Sequence, residues 1–431
     1  MAASPDHLPR PGPAAPGSDL RRCDADSLAA AMRSNRDETL GALARLGSDA
    51  EAWALPYLRI INPPLWEIGH VGHFWERWCV RGGLSTPRSS SLLDCADAVF
   101  DSNLVPHPTR WHLRLPSPQQ TAEYLEQVMQ SSIARLEDPP MAAELGGDDP
   151  LHMHRLSLFH EMMHKEAFTY TWQTTARSSP VHRDGVPSGG AGAGHVLAAE
   201  PGRATIGCDP GDGFVFDNEK WSLPVEIDSF VIDAEPLDCG RFRDFVASGA
   251  YLDERLWAPG YFAGLRQSGR VMPRYWRIRG EAEGRWTGSR DASALGRSVC
   301  SSGIEVRRFD TWHALEPARI LVHVDAFEAE AYCRWAKRRL PTEAQWQYAV
   351  ERLPGFRWGD AVWEWTATRF HPLPGFAPDA YREYSAPWFE THRSVRGGSF
   401  ATPRGMIHPR FRNFYMPDRG DIFIGFRTCG D

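Results

Sequence analysis

Residues 160–164 read HEMMH, so His160, Glu161 and His164 stand at the spacing that lets two imidazoles on one helix reach a single ion. In a zinc peptidase the glutamate between them is the general base, and a third ligand follows downstream. Here the extended pattern fails, because Ala167 and Tyr170 stand where it needs Gly and His. No room remains for a glutamate ligand on a following helix, because a Gly-rich stretch begins soon after residue 178. A third ligand must come from upstream, and His70 is the best placed. Three neutral imidazoles leave open positions for a substrate and for O2, which suits Fe(II) at least as well as Zn(II). Peptidase chemistry is set aside on these grounds. Glu161, about 100° round the helix from His160, is not expected to act as a base.

A lone core-facing histidine such as His70 is more often a hydrogen-bonded core residue than a ligand. The His160/His164 pair carries more weight, since two buried imidazoles side by side repel when protonated. His152 and His154 fall off the buried stripe and are expected in solvent, and His107 in a loop.

Two helices must position these residues. In NPPLWEIGHVGHFWERWCVRGG (62–83), Asn62 is the expected N-cap, Pro63 the first helical residue, and Gly82 and Gly83 the stop. Trp66, His70 and Phe74 then share one face at four-residue spacing, with Val71 and Trp78 beside them. The second helix is expected to open at Asp149 and Pro150, with Met153, Leu156, His160, His164 and Phe168 along its buried face.

The 431-residue chain is long enough for two domains, and its 42% hydrophobic and 24% charged residues describe a globular protein. A net charge of −7 without a Lys/Arg block argues against nucleic acid or an anionic membrane as partner. No apolar run is long enough for a membrane helix. Eight scattered cysteines without a C-x-x-C pair fit reduced thiols in a cytoplasm. Composition divides the chain into a disordered tail (1–24), a helical domain (25–178), a Gly/Ser/Pro linker (179–195) and a loop-rich α+β domain (196–431). In the last, Thr342 and Gln345 form a capping box, and Trp346, Trp363 and Trp365 are read as core.

PPLWEIGHVGHFWE followed by LFHEMMHKEAF resembles the His plus H-x-x-x-H signature of iron-dependent sulfoxide synthases, the ergothioneine and ovothiol enzymes. HVDAFEAEAYCRWAKRRLPTEAQWQYAV, VWEWTATRFHPLPGF, SVRGGSFATP and FRNFYMPDRGDIFIGFRTC resemble the second domain of the same enzymes. The resemblance implies an α + (α+β) architecture: a DinB-like four-helix bundle, then a formylglycine-generating-enzyme-like (C-type-lectin-like) domain. It implies Fe(II) on His70, His160 and His164, with hercynine, a thiol or selenol donor and O2 as partners. Formylglycine formation itself is not expected, since only Cys429 and the distant Cys333 lie toward the C-terminal end.

Substrate residues follow from the same resemblance. Asn413 matches a partner of the hercynine carboxylate, Phe414 a cation–π wall for its quaternary ammonium, and Arg110 an arginine of the donor site. Met163 stands where many ergothioneine enzymes keep a Gln, and Tyr415 where they keep an Asp that holds the donor's amino group. Phe370 and Leu373 align with two tyrosines, so the catalytic phenol is expected to be missing, with Tyr124 or Tyr415 as substitutes. These departures place the chain closest to the selenoneine synthases, which join a selenosugar to hercynine. An ergothioneine-type enzyme using γ-glutamylcysteine or cysteine is the alternative. A non-catalytic hercynine- or metal-binding module is a third.

Overall fold

The computed structural model describes residues 19–47, 53–83, 90–137, 149–178, 194–288 and 291–431. The expected linker lies almost entirely outside the described residues, as do residues 1–18 of the expected tail. Its last residues are not disordered. Arg21 is buried and makes a two-pronged ion pair with Glu219 of the second domain, at 2.8 and 2.9 Å. Asp24 caps the first helix by accepting from the Ser27 amide.

The N-terminal half is built from α1 (Ala25–Leu46), α2 (Pro64–Trp75), the short α3 (Ala96–Phe100), α4 (Pro118–Ala134) and α5 (His152–Thr174). The four long helices form a bundle in which α1 and α2 each pack against both α4 and α5. Both site helices start later than the cap residues suggest. The Asn62 side chain is drawn off to accept from Arg110 Nη1 at 2.8 Å, so Pro63 precedes α2 without a side-chain cap. Asp149 accepts from the Leu151 amide and from Arg155 Nε, holding the turn before α5 rather than its first residue. The stop of α2 is as expected. The chain passes through one wide turn (Glu76–Val80) and leaves at Gly82 and Gly83, with φ of 82° and 67°. A Cβ at Gly83 would meet the Trp78 ring at 2.3 Å.

The second half contains short sheets and short helices. Its four-stranded sheet runs β10 (Asn413–Tyr415), β9 (Arg393–Gly397), β8 (Trp363–Arg369), β11 (Ile424–Gly425), antiparallel except for β8 with β11. Thr342 and Gln345 form the expected capping box, and Trp346, Trp363 and Trp365 are fully buried. The two halves share one hydrophobic core. Polar staples cross it from α5: buried Glu166 accepts from Trp363 Nε1, Ser399 Oγ and Thr402 Oγ1 at 2.9, 2.5 and 2.8 Å. Farther along the helix, the Gln173 side chain accepts from the Phe309 amide. α5 is thus held by both halves.

Candidate functional site

His70 on α2 and His160 and His164 on α5 converge, their ligand nitrogens all within 4.8 Å of one another. They form the one such cluster of His, Cys, Asp or Glu found among the described residues. His70 Nδ1 donates to the Phe100 carbonyl at 2.9 Å, and His164 Nδ1 donates to Glu67 Oε1 at 2.8 Å. A carbonyl and a carboxylate can only accept, so both rings carry hydrogen on Nδ1 and keep the Nε2 lone pair for an ion. His160 Nδ1 is buried without a hydrogen-bond partner, and its ring lies flat on Phe74 at 3.7 Å. The His70 ring stacks on Trp66, whose other neighbour is the Arg110 guanidinium, 3.8 Å from the indole.

Burial is the main force pushing the His70 and His160 pKa values well down, and the neighbouring His164 adds to it. Neutral imidazoles at neutral pH are the ligand form a divalent cation needs. The three-imidazole donor set, with His70 and His160 held neutral, fits Fe(II) or another borderline divalent metal.

Glu161 faces away from this cluster. It is fully buried and accepts from Arg36 through both oxygens at 2.9 Å, from Thr39 Oγ1 at 2.7 Å and from Trp75 Nε1 at 2.7 Å. Those donors outweigh the cost of burial and hold its carboxyl below the usual range. A saturated, ionised carboxylate bonded to α1 and α2 is a structural staple and no general base.

From the second half Tyr381 approaches the histidines, and there several expectations need correction. Phe370 is fully buried and stacks on Phe414 at 4.1 Å, while Leu373 sits in a separate apolar cluster with Ile206 and Tyr348. The phenol nearest the triad is Tyr381, in the connection between β8 and β9. Its ring is 6.4 Å from His160, 5.0 Å from Phe74 and 6.0 Å from Trp78. A phenol therefore does stand beside the cluster, contrary to the reading from Phe370 and Leu373. Burial pushes its pKa up, so it stays protonated. Two anchors hold its segment: Asp379 pairs with Lys220 at 2.6 and 2.8 Å, and Ser385 donates to Asp217 at 2.5 Å. Two tyrosines three apart in YREY, within a Pro/Gly-bounded loop, were the available signal.

Tyr124, one of the two expected substitutes, has its hydroxyl engaged elsewhere. Its hydroxyl donates to Glu76 at 2.6 Å in the bundle core. Strand alternation separates the β10 residues. Phe414 points at Phe370, so that ring is covered on one face, whereas Tyr415 shares a hydrogen bond with Asn413 and lies near Tyr170 and Glu166 of α5. Arg419, paired with Asp421 at 2.7 Å, stands over the rings of both Tyr170 and Tyr415. Among the described residues Arg110 bonds only neutral oxygens, of Asn62 and Val105, and burial lowers its pKa to about 10. Met163, half-buried, packs on the core beside His164. His152 and His154 are buried rather than solvated: His152 lies against Phe214 and near Asp379, and His154 Nε2 is 3.0 Å from the Ser132 carbonyl. His107 sits in a 3₁₀ turn, Nε2 2.7 Å from the Ile61 carbonyl.

Two family models match this chain. The DinB superfamily covers residues 24–167, and the sulfatase-modifying factor enzyme 1-like domain covers 190–361 and 357–431, more than half of the chain. A protein named hercynine oxygenase from Mycolicibacterium thermoresistibile is 28% identical over 87% of this chain and 89% of its own length. Its counterpart from Mycolicibacterium smegmatis is 29% identical over 87% and 92%. The formylglycine-generating enzyme of Streptomyces coelicolor is 26% identical over 53% of this chain and 87% of its own.

Proposed function

Because the chain belongs to the sulfoxide synthase family of the ergothioneine type, we propose that it is an Fe(II)- and O2-dependent enzyme that joins a chalcogen donor to the imidazole of hercynine. The observation that carries this reading is the convergence of His70, His160 and His164 opposite the protonated phenol of Tyr381. His70, His160 and His164 would hold the iron, which would supply one-electron chemistry toward O2. In the overall reaction the chalcogen–H and imidazole C–H bonds break and a carbon–chalcogen bond forms. One oxygen atom ends on the chalcogen and the other leaves as water, so O2 takes up four electrons.

The chain's own groups then have separate tasks. Trp66 and Phe74 fix the ring planes of His70 and His160, and the aromatic wall excludes water. Tyr381 Oη gives a proton to the reduced oxygen and regains one released from the chalcogen–H or imidazole C–H bond. Asn413 meets the hercynine carboxylate, and Phe414 offers its ammonium the ring face not stacked on Phe370. Arg110 lies on the donor side, beyond Trp66 from His70. Eight free cysteines suit a reducing cytoplasm.

The donor in this proposal is a selenosugar, which makes the product a selenoneine precursor. With Tyr381 present, the missing-phenol argument for selenium falls away, and the reading rests on Tyr415. Burial, with help from Tyr170 and Glu166, raises the Tyr415 pKa, so position 415 offers no negative charge to an ammonium-bearing donor. The ergothioneine-type reading has its own support in Arg110, which has no carboxylate within ion-pair distance among the described residues and would suit the acid group of γ-glutamylcysteine or cysteine. Incubating iron-loaded protein with hercynine, O2 and each donor in turn, then reading product mass, decides between them. No product with any donor would leave a hercynine- or metal-binding module.

A further inference from the structure

The three histidines are not held alike. His70 is clamped between the Trp66 ring and the Phe100 carbonyl, and His160 lies flat on Phe74. His164 has no parallel aromatic neighbour among the described residues; its ring meets only His70 and His160, edge-on. Its side chain is 20% exposed, whereas the other two histidines are buried. A ring without a stacking partner keeps rotational freedom about χ2, where the torsional wells are broad. What fixes it is Glu67, whose Oε1 accepts from His164 Nδ1.

Glu67 stands one turn before His70 on α2, and the ring it holds belongs to α5. α2 thus supplies one ligand and also the group that aims a ligand of the neighbouring helix. The carboxylate is spared for this purpose. Glu67 is 2% exposed, and its Oε2 is buried with no hydrogen-bond partner. Arg110 and Tyr170 also feel its charge. Glu161, another buried glutamate among these helices, accepts four hydrogen bonds. A buried carboxylate left half-bonded is unfavourable for folding alone, whereas one that orients a metal ligand and raises its basicity is the usual outer partner of a ligating histidine.

We propose that Glu67 is a positioning residue for the metal centre: it locks His164 in the Nδ1–H tautomer, aims Nε2 at the ion, and strengthens that one ligand by its charge. The inference rests on the His70/His160/His164 reading.

The test is anaerobic Fe(II) titration against a chromophoric chelator, for wild type, Glu67→Gln, Glu67→Ala and His164→Ala, each checked for folding by circular dichroism. Outer-partner loss weakens metal binding by about 10- to 100-fold, and that is the result expected for Glu67→Ala. Glu67→Gln, which keeps an acceptor but no charge, should fall between Ala and wild type. His164→Ala should bind weakest. If His164→Ala loses iron while both Glu67 variants bind within twofold of wild type, the positioning role is overturned and the triad stands. If His164→Ala keeps wild-type affinity, the triad reading itself has failed, and Glu67 with it. Should Glu67→Ala not fold, Glu67→Gln alone decides: weakened binding supports the proposal, wild-type binding overturns it.

Discussion

The two walls of the site are built by different means. The histidine wall stands on α2 and α5, where a 3.6-residue repeat places Trp66, His70 and Phe74 on one stripe and His160 and His164 on another. Facing it is the long connection between β8 and β9, which carries Tyr381, while the expected substrate residues lie on a short strand, β10. The connection's side chains are aimed by contacts far away in sequence, such as Lys220 with Asp379 and Asp217 with Ser385. A helix carries its geometry in local spacing, and a loop takes its geometry from whatever it is tied to. On the proposed function, the first wall would hold the ion, and the second is where donor choice could change without disturbing it.

If that division is right, damage to the helical wall should be total. Replacing His70, His160 or His164 by Ala is expected to abolish turnover and to strip iron, read as metal content after gel filtration. A His70→Ala protein with full activity and full iron would break the comparison outright. On the loop wall the largest effect should come from Tyr381→Phe. Loss of a positioned proton donor costs about 10²- to 10⁴-fold in kcat, with iron content unchanged. Tyr124→Phe, which removes a hydroxyl bonded in the bundle core, should leave kcat within a few-fold. If Tyr124→Phe proved the worse of the two in kcat, the phenol assignment would be reversed.

Legibility in the sequence follows the same division. The ligand triad could be read from HEMMH and GHVGH because helical period turns spacing into direction. Helix starts were misjudged by a residue or two, since Asn62 and Asp149 are good caps that Arg110 and Arg155 engage instead. Glu67 was within reach of the same reasoning, being one turn from His70 on an already identified helix. His154 was not, because its burial depends on α4 supplying the Ser132 carbonyl. Tyr381 lay beyond reach for a plainer reason. Nothing local tells Phe370 from Tyr381 as the ring that meets His160; the Asp379 and Ser385 anchors decide it, and their partners lie more than 150 residues upstream.

Glu161 sharpens the comparison from inside the helical wall. Its carboxylate and the Arg36 guanidinium are both buried, and breaking such a pair from one side costs about 3–5 kcal/mol. Glu161→Gln should therefore lower the urea midpoint strongly while keeping most of the turnover of whatever remains folded. The pH dependence has a definite sign. The folded-state pKa is depressed, so the pair's contribution is full above the unfolded value of about 4.3. It fades as pH falls through the lower folded value. Wild type should lose its stability advantage over Glu161→Gln only in acid. A thousandfold drop in kcat at neutral pH, with iron bound and the fold intact, would instead make Glu161 part of the chemistry.

The smallest expected effect tests the loop wall as the place of donor choice. Tyr415 shares a hydrogen bond with Asn413 and lies beside Tyr170, with the Arg419 guanidinium 5.6 Å from its ring. An ammonium-bearing donor placed there finds a neutral phenol and a neighbouring cation. A desolvated charge pair that goes unmade costs on the order of 2–5 kcal/mol, or about 30- to several-thousandfold in affinity. Wild type should then show a higher kcat/KM for a 1-selenosugar than for γ-glutamylcysteine or cysteine, with the thiosugar between. Tyr415→Asp restores a carboxylate, but Arg419 is close enough to claim part of its charge, so recovery should be incomplete. About a tenfold shift of the donor ratio toward γ-glutamylcysteine is expected, a fraction of the full charge-pair penalty. Fe(II) affinity should not move, because the change lies on the loop wall. Equal wild-type kcat/KM for selenosugar and γ-glutamylcysteine, under matched iron and oxygen, would remove selenium from the proposal. Arg110, not Tyr415, would then be the residue that selects the donor.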